Sequence, residues 1–235
     1  YSYLYQQMYK SKAKSNGIEL KKLSDTDFRK KWSQLGSIYE SVTYQYYANY
    51  TDYLDDIVPE SIGRTCIEYI LNPIKLRPYY SDKNMFARIC GEENIPKTII
   101  CRVNGGSLLN DDLNPIGEDS LKTMLERYDR LILKPTIETK GGKGIMLFSR
   151  VGAALKSGDT ILSKDFLLSY GRDFAVQELV KQHDKLAFLN KSSVNTIRVA
   201  VYRSVVDEKA HVIGCFIRIG GSGMCPIADI LIHKG

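Results

Sequence analysis

The sequence predicts a mixed α+β chain: a helical, tyrosine-rich first segment followed by short helices alternating with short strands. Three observations carry that expectation. Ten of the sixteen tyrosines fall at or before Tyr53, within stretches of helical periodicity. From Ser81 onward the texture changes to short apolar runs bounded by Gly, Pro and Asn, which read as strands between brief helices. Between two of those strands, "LILKP" and "GIMLF", stands the stretch "TIETKGGK", longer than the two to five residues an ordinary hairpin needs.

The first segment, to about Leu71, reads as several helices. Ser24 followed by Asp27 resembles a capping signal, with Gly36 expected to end that helix. "PESIGRTCIEYILNP" reads as a helix starting near Pro59, with Ile62, Cys66, Ile67 and Ile70 on one side and Asn72-Pro73 stopping it. Packing between helices is the expected use of the tyrosines, ahead of a partner or acceptor surface.

The second part opens with a helix in "DKNMFARIC" closed by Gly91, a strand in "KTIICRV", a turn at "NGG" and a helix in "EDSLKTMLERY". The two strands around the Gly-rich loop come next. "SKDFLLSYG" reads as a helix capped by Ser163 and "FAVQELV" as a strand, with a boundary expected after Val180. "VNTIRVAVYRS" and "AHVIGCFIRIG" read as long strands joined by the turn "VVDEK".

Bulk properties exclude several functions. A chain of 235 residues, 43% hydrophobic and 26% charged, can bury a sizeable core and reads as a soluble globular protein. No stretch approaches the ~20 apolar residues of a membrane span, and "YSYLYQQMYK" does not read as a signal peptide. The five cysteines (Cys66, Cys90, Cys101, Cys215, Cys225) never form C-x-x-C, so they read as reduced, mostly buried thiols of a cytosolic protein. His183, His211 and His233 lie far apart, which leaves little material for a zinc site or a histidine-activated nucleophile. The net charge of +6 is spread evenly, with 11 Lys/Arg against 9 Asp/Glu in residues 1–80, and forms no basic stripe of the nucleic-acid-binding kind. A tyrosine-rich RNA-binding module is therefore a poor third reading.

Four features point to chemistry on phosphates. Gly141, Gly142 and Gly144 give the loop a backbone able to approach phosphate oxygens, and Lys143 adds charge; the P-loop spacing is absent. Lys134 continues the side of its strand that Ile132 begins, where an ion needs an anion opposite. Glu178 places a carboxylate in the apolar row Phe174, Val176, Val180, where it wants hydrogen-bond donors. Arg198 and Arg218 stand in or at the end of strands, suited to bidentate bonds to phosphate or carboxylate.

The order "SDKNMF", "LILKP" with "GGKGI", "QELV", "NTIRV" resembles the ATP-grasp superfamily. The combination of "YILNP", "YYSDKNMF", "LILKPTIETKGGKGI", "VQELVKQH" and "SSVNTIRVAVYR" is similar to the sugar-transfer-associated ATP-grasp family of surface-polysaccharide gene clusters, over about Trp32 to Gly221. The resemblance implies an ATP-grasp fold, two α+β subdomains gripping ATP, behind the helical N-terminal region. On that reading residues 1–75 are the N-terminal region, 76–180 the small subdomain with its lid, and 181–235 the start of the large subdomain. It further implies that Lys83 and Lys134 bind nucleotide phosphates under the lid Gly141, Gly142, Lys143 and Gly144. Glu178 is implied beside adenine, Leu179, Val180 and Lys181 read the ring edge through their backbone, and Asp184 matches the ribose-binding acid. Arg198 and Arg218 match residues near the transferred phosphate, and Asn195 shares their motif.

The implied cofactors are ATP and magnesium, and the implied reaction joins a small-molecule or glycan carboxylate to an amine through an acyl phosphate, in surface-polysaccharide or sugar-acid modification. One departure stands out. The family's magnesium ligands, an Asp followed by Glu-x-Asn on neighbouring strands, have no match after Ile219, where Asp229 is the one remaining acid. The chain starts at Tyr1, and its tail "GGSGMCPIADILIHKG" reads as pieces that do not follow from one another, so the C-terminal part of the fold is expected to be incomplete. A catalytically inactive ATP-binding scaffold of a glycosyl-transfer complex is the alternative.

Overall fold

The computed structural model describes residues 2–35, 41–91, 95–137, 142–191, 194–220 and 229–230, and it has the mixed α+β character that the alternating texture predicts. Contacts divide the described residues into two compact units, one ending at Arg77 and the other beginning at Pro78.

The first unit is helical: α1 (Ser2–Ser15), α2 (Thr26–Ser33), α3 (Ser41–Tyr47), and a run from α4 (Glu60–Ile62) through a π-helical turn (Gly63–Ile67) to α5 (Glu68–Leu71). Two small cores form between these helices. Tyr9, Ala13, Val42 and Tyr46 make one, and Phe28, Tyr44 and Ile62 the other. Tyr9 lies with its ring centroid 5.3 Å from that of Tyr46, and its hydroxyl donates to Glu60 Oε2 at 3.1 Å. Burial, with the neighbouring Tyr47 and Glu60, pushes the Tyr9 phenol far above its ordinary value. Packing is thus what Tyr9, Tyr44 and Tyr46 do, while Tyr3, Tyr53 and Tyr69 stay exposed. The capping expectation at Ser24 needs correction: Asp25 holds the N-cap position of α2, and the Ser24 hydroxyl pairs with Thr26 Oγ1 at 3.3 Å. Gly36 lies outside the described residues.

The second unit begins within α6 (Arg77–Ser81) and contains α7 (Phe86–Cys90), β1 (Thr98–Arg102), α8 (Glu118–Leu125), β2 (Arg130–Pro135), β3 (Met146–Val151), β4 (Ala154–Ser157), β5 (Thr160–Ile161), α9 (Lys164–Tyr170) and β6 (Phe174–Glu178). These strands form one antiparallel sheet of order β1-β6-β2-β3-β4-β5. Ser163 caps α9 as expected, its hydroxyl accepting from Phe166 N. After α10 (Asp184–Ala187), strands β7 (Thr196–Arg203) and β8 (Ala210–Gly220) form a hairpin, and β9 (Asp229–Ile230) pairs with the end of β8.

Residues directly opposite in an antiparallel ladder share a face. Ladder partners Leu131 and Phe148, Leu133 and Val176, and Ile100 and Val176 therefore define one face. Leu121 of α8 and Leu167 of α9 pack on it, and Leu131, Leu133, Phe148, Phe174 and Val176 are wholly buried there. At ~25 cal/mol per Å² of apolar surface removed from water, this face is the main source of the unit's stability. The opposite face carries Ile132, Lys134, Ala175, Gln177, Cys101 and Thr98.

The cysteines are less buried than their sequence context suggests. Cys101 is buried and its thiol is pushed up to about 11 by burial, but Cys66 is half-buried and Cys90 and Cys215 are exposed. Cys225 lies outside the described residues.

Candidate functional site

Lys134 is the next-to-last residue of β2, opposite Ala175 of β6, on the face opposite the one that α8 and α9 cover. Its strand neighbour on that face is Ile132, which is buried, so the ammonium emerges from an apolar row. Among the described residues no hydrogen-bond acceptor or carboxylate pairs with it. Burial pulls its pKa below the lysine norm, and the Lys83 ammonium lowers it further.

Lys83 reaches this place by a local device. Asp82, itself buried, accepts from Asn84 N with its Oδ1 at 3.0 Å and so starts the short 3-10 turn Lys83–Met85 ahead of α7. That turn brings Lys83 Nζ to Thr136 O at 3.0 Å and Pro135 O at 3.4 Å, at the end of β2. Burial lowers the Lys83 pKa in spite of the neighbouring Asp82. Two lysines distant in sequence thus meet at the end of β2.

Asn84 stitches three segments together. Its Nδ2 donates to Arg102 O at 3.3 Å, Thr136 Oγ1 at 3.4 Å and Phe174 O at 3.5 Å, while its buried Oδ1 has no partner among the described residues. Beside it, at the β1 edge, opens a cavity of about 640 Å³ whose walls include Arg88, Lys97, Thr98, Cys101 and Asp111.

The described part of the Gly-rich loop is its foot, Gly142, Lys143 and Gly144, closed by a bond from Ile145 N to Gly142 O at 3.2 Å. Gly144 takes φ +76°, and a Cβ there would come within 3.1 Å of Pro135 Cγ. Gly141 lies outside the described residues.

The register of β6 separates two neighbours that sequence alone cannot rank. Glu178 pairs with Leu131 and so stands at the end of the helix-covered face, away from Lys134. Gln177 pairs with Ile132 and Thr98 on the Lys134 face. It is 3% exposed, its Nε2 donates to Thr98 Oγ1 at 2.8 Å, and its Oε1 has no partner among the described residues. An acceptor left bare in a dry place is costly unless a ligand donor meets it. Sequence reasoning passed over Gln177; parity along β6 separates it from Glu178, but only the pairing with β2 shows which faces the lysine. Glu178 keeps a backbone role, its N–H donating to Lys97 O at 3.0 Å, and Leu179, Val180 and Lys181 follow, with Val180 and Lys181 exposed.

The remaining candidates fall elsewhere. Asp184 is exposed in the first turn of α10. Asn195 is buried, and its side chain donates to Leu186 O at 3.0 Å and Asn190 O at 2.9 Å, which spends both amide hydrogens on bracing the approach to β7. In this structure its side chain acts as a brace. Arg198 lies opposite Phe216 in the β7–β8 ladder and Arg218 opposite Thr196, with both guanidinium groups 5.9 Å from the Phe216 ring. They form a second cationic group on one face of the hairpin. For magnesium, the described residues do not fit: no group of three His, Cys, Asp or Glu stands together among them.

Gly-rich loop, paired lysines and antiparallel sheet are the features of an ATP-grasp protein. Comparison with family models matches residues 64–235 to "Sugar-transfer associated ATP-grasp", well over half of the chain, and the chain belongs to that family. Comparison with curated proteins and with solved structures returned no match. ATP-grasp proteins are usually ligases, and the fold generally binds ATP with magnesium. No helix among the described residues is long and apolar enough to cross a membrane.

Proposed function

We propose that this chain is an ATP-dependent carboxylate-amine ligase that binds the nucleotide on the Lys134 face. The observation that carries this reading is the pair Lys83 and Lys134, two ammonium groups lowered by burial beside one another on an apolar sheet face. Such a pair is repulsive until a polyanion lies between its members, and a triphosphate supplies the missing charge. Lys143 of the loop foot adds a third cation. Gln177 Oε1 accepts from the exocyclic amine of adenine, and the backbone of Glu178 to Lys181 reads the ring edge, which moves the side-chain role from Glu178 to Gln177.

In the reaction, a carboxylate oxygen attacks the γ-phosphorus and the bond to the β-phosphate oxygen breaks, giving an acyl phosphate and ADP. The amine then attacks the acyl carbon, phosphate leaves, and the amine loses a proton to give the amide. Phosphoryl transfer between two anions relies mostly on positioning and on cations aimed at the developing charge, the work assigned to Lys83, Lys134, Arg198 and Arg218. Bound magnesium would supply further positive charge, and no described residue is assigned to hold it. The family's association with sugar transfer supports a sugar acid or glycan as carboxylate with an amino compound as acceptor, and the scattered cysteines without C-x-x-C support the cytosol as the place of reaction.

Calorimetry of MgATP binding tests the reading: Lys134→Met loses at least about 100-fold in affinity, the effect of removing a buried charge partner. Wild-type affinity in the variant overturns it. ADP release that needs both a sugar acid and an amine establishes the ligase; binding without release leaves a non-catalytic ATP-binding protein of a glycosyl-transfer complex.

A further inference from the structure

We infer that Tyr170 is a positioning residue for nucleotide binding, tying down the foot of the Gly-rich loop from the helix-covered side of the sheet. The inference deepens the proposed ATP site by naming what holds its loop.

The β2–β3 ladder has Leu133 and Met146 as its last paired residues before the loop. Pro135 lies just beyond that pair and has no N–H to donate toward the foot. Tyr170 supplies a side-chain tie there. It is the last residue of α9, and its hydroxyl donates to Gly144 O. The ring is oriented by the core, in edge-on contact with Phe174 at 5.5 Å and tilted against Phe166 at 6.0 Å. Phe166 in turn lies 5.8 Å from Phe148 in β3. Gly144 is therefore held between Pro135 and the Tyr170 hydroxyl, and an added Cβ would sit 3.1 Å from the first and 3.5 Å from the second.

Lys143 immediately precedes this clamped glycine, and Lys134 immediately precedes the proline on its other side. Fixing Gly144 against Pro135 thus fixes where the loop's cation starts relative to the sheet's cation. Tyr170 acts without touching the nucleotide, because Pro135 pairs with Phe174 on the face that α9 covers while Lys134 pairs with Ala175 on the opposite one. Burial pushes the phenol up to about 12, so the hydroxyl keeps its proton and stays a donor at neutral pH.

Tyr170→Phe keeps the ring and removes only the hydroxyl. The first measurement is tryptic cleavage after Lys143 without nucleotide, normalised to cleavage after Lys209 in the β7–β8 turn. Loss of one hydrogen bond is expected to speed it about 3- to 10-fold with the melting temperature little changed. The second is MgATP affinity, expected to weaken by a similar factor, with KM for ATP rising more than kcat falls. Gly144→Ala attacks the same contact from the other side, and combining it with Tyr170→Phe should add little to either single change. Wild-type cleavage and wild-type affinity in Tyr170→Phe overturn the inference, as does full additivity of the pair. Because cleavage is read without nucleotide, faster cleavage in a protein that binds no ATP sustains the tie and refutes the proposed site instead.

Discussion

Val176 in β6 is wholly buried, whereas Val199 in β7 is 48% exposed, although both stand mid-strand in antiparallel ladders of alternating pattern. The difference lies in what covers each strand. On the six-stranded sheet α8 and α9 seal one face, which leaves the other to carry Lys134 and Gln177. In the hairpin, Ile197, Val199 and Val201 share an apolar face that is open among the described residues, while Arg198, Arg218 and Phe216 occupy the other. Period-2 alternation names two faces for a strand; a packed helix decides which one becomes core.

The largest test of that comparison is Lys134→Met. Besides abolishing nucleotide binding, it should stabilise the ligand-free chain, because it replaces a desolvated cation by an apolar side chain on an apolar face. A rise of roughly 2–4 °C in melting temperature is the size that ~1 kcal/mol produces in a domain of this length. A pH series gives the sign independently. The folded pKa of Lys134 lies below the ordinary lysine value of 10.5, so within that window the unfolded chain holds more protons. Ligand-free stability therefore rises with pH through the window, and the burial cost is fully present below it. Lys83 is lowered in the same direction and shares the trend. Lys134→Met should flatten the rise in part, and an unchanged slope would show that Lys134 is solvated in solution.

Next in size is the sealed face. Arg102 lies in β1 and its guanidinium donates to Gly105 O, Gly106 O, Leu168 O and Gly171 O, at 2.7 to 3.0 Å. It joins the strand end to the C-terminal turn of α9, the helix that carries Tyr170. Arg102→Ala should cost about 2–4 kcal/mol, since charge-assisted bonds are lost and part-buried carbonyls are left bare. Chemical denaturation measures it, and a loss under ~1 kcal/mol would mean that packing alone holds α9. On the Lys134 face the corresponding contrast is Gln177→Leu against Glu178→Gln. The first should weaken MgATP binding about tenfold and the second less than about threefold, and the reverse order would return the adenine contact to Glu178.

These contrasts mark how far the sequence could be read. Element order was legible: β8 runs over Ala210–Gly220 as expected, and Ser163 caps α9. Lys134 stood out in the sequence as an ion continuing an apolar strand face, whereas Lys83 was singled out by the family resemblance alone, and their meeting depends on the turn that Asp82 starts. The short strands β4 and β5, of four and two residues, were not anticipated, being too brief to show a period. The choice between Gln177 and Glu178 was closed to sequence reasoning because it depends on register between strands more than 40 positions apart, and a shift of one residue exchanges the faces. The surroundings of Asn195 were closed to the sequence for a related reason. Its place in the motif was visible, but the carbonyls of Leu186 and Asn190 that consume its amide are set by the turn around α10.

The smallest expected effect sharpens the opening comparison most. Val→Thr keeps shape and adds a hydroxyl, so its cost reports whether water reaches the site. At Val176 the hydroxyl enters a sealed core, and a loss of roughly 1–3 kcal/mol is expected. At Val199, 48% exposed, the change should stay within about 0.5 kcal/mol. A two-stranded hairpin is at best marginally stable in water, so an open apolar face on β7 and β8 is a surface that gains from any cover. If Val199→Thr proves as costly as Val176→Thr, that face is sealed in solution. The near-neutral outcome instead leaves Arg198 and Arg218 on a scaffold held mainly by its ladder, and the phosphate contacts proposed for them would then depend on the brace that Asn195 provides at the start of β7.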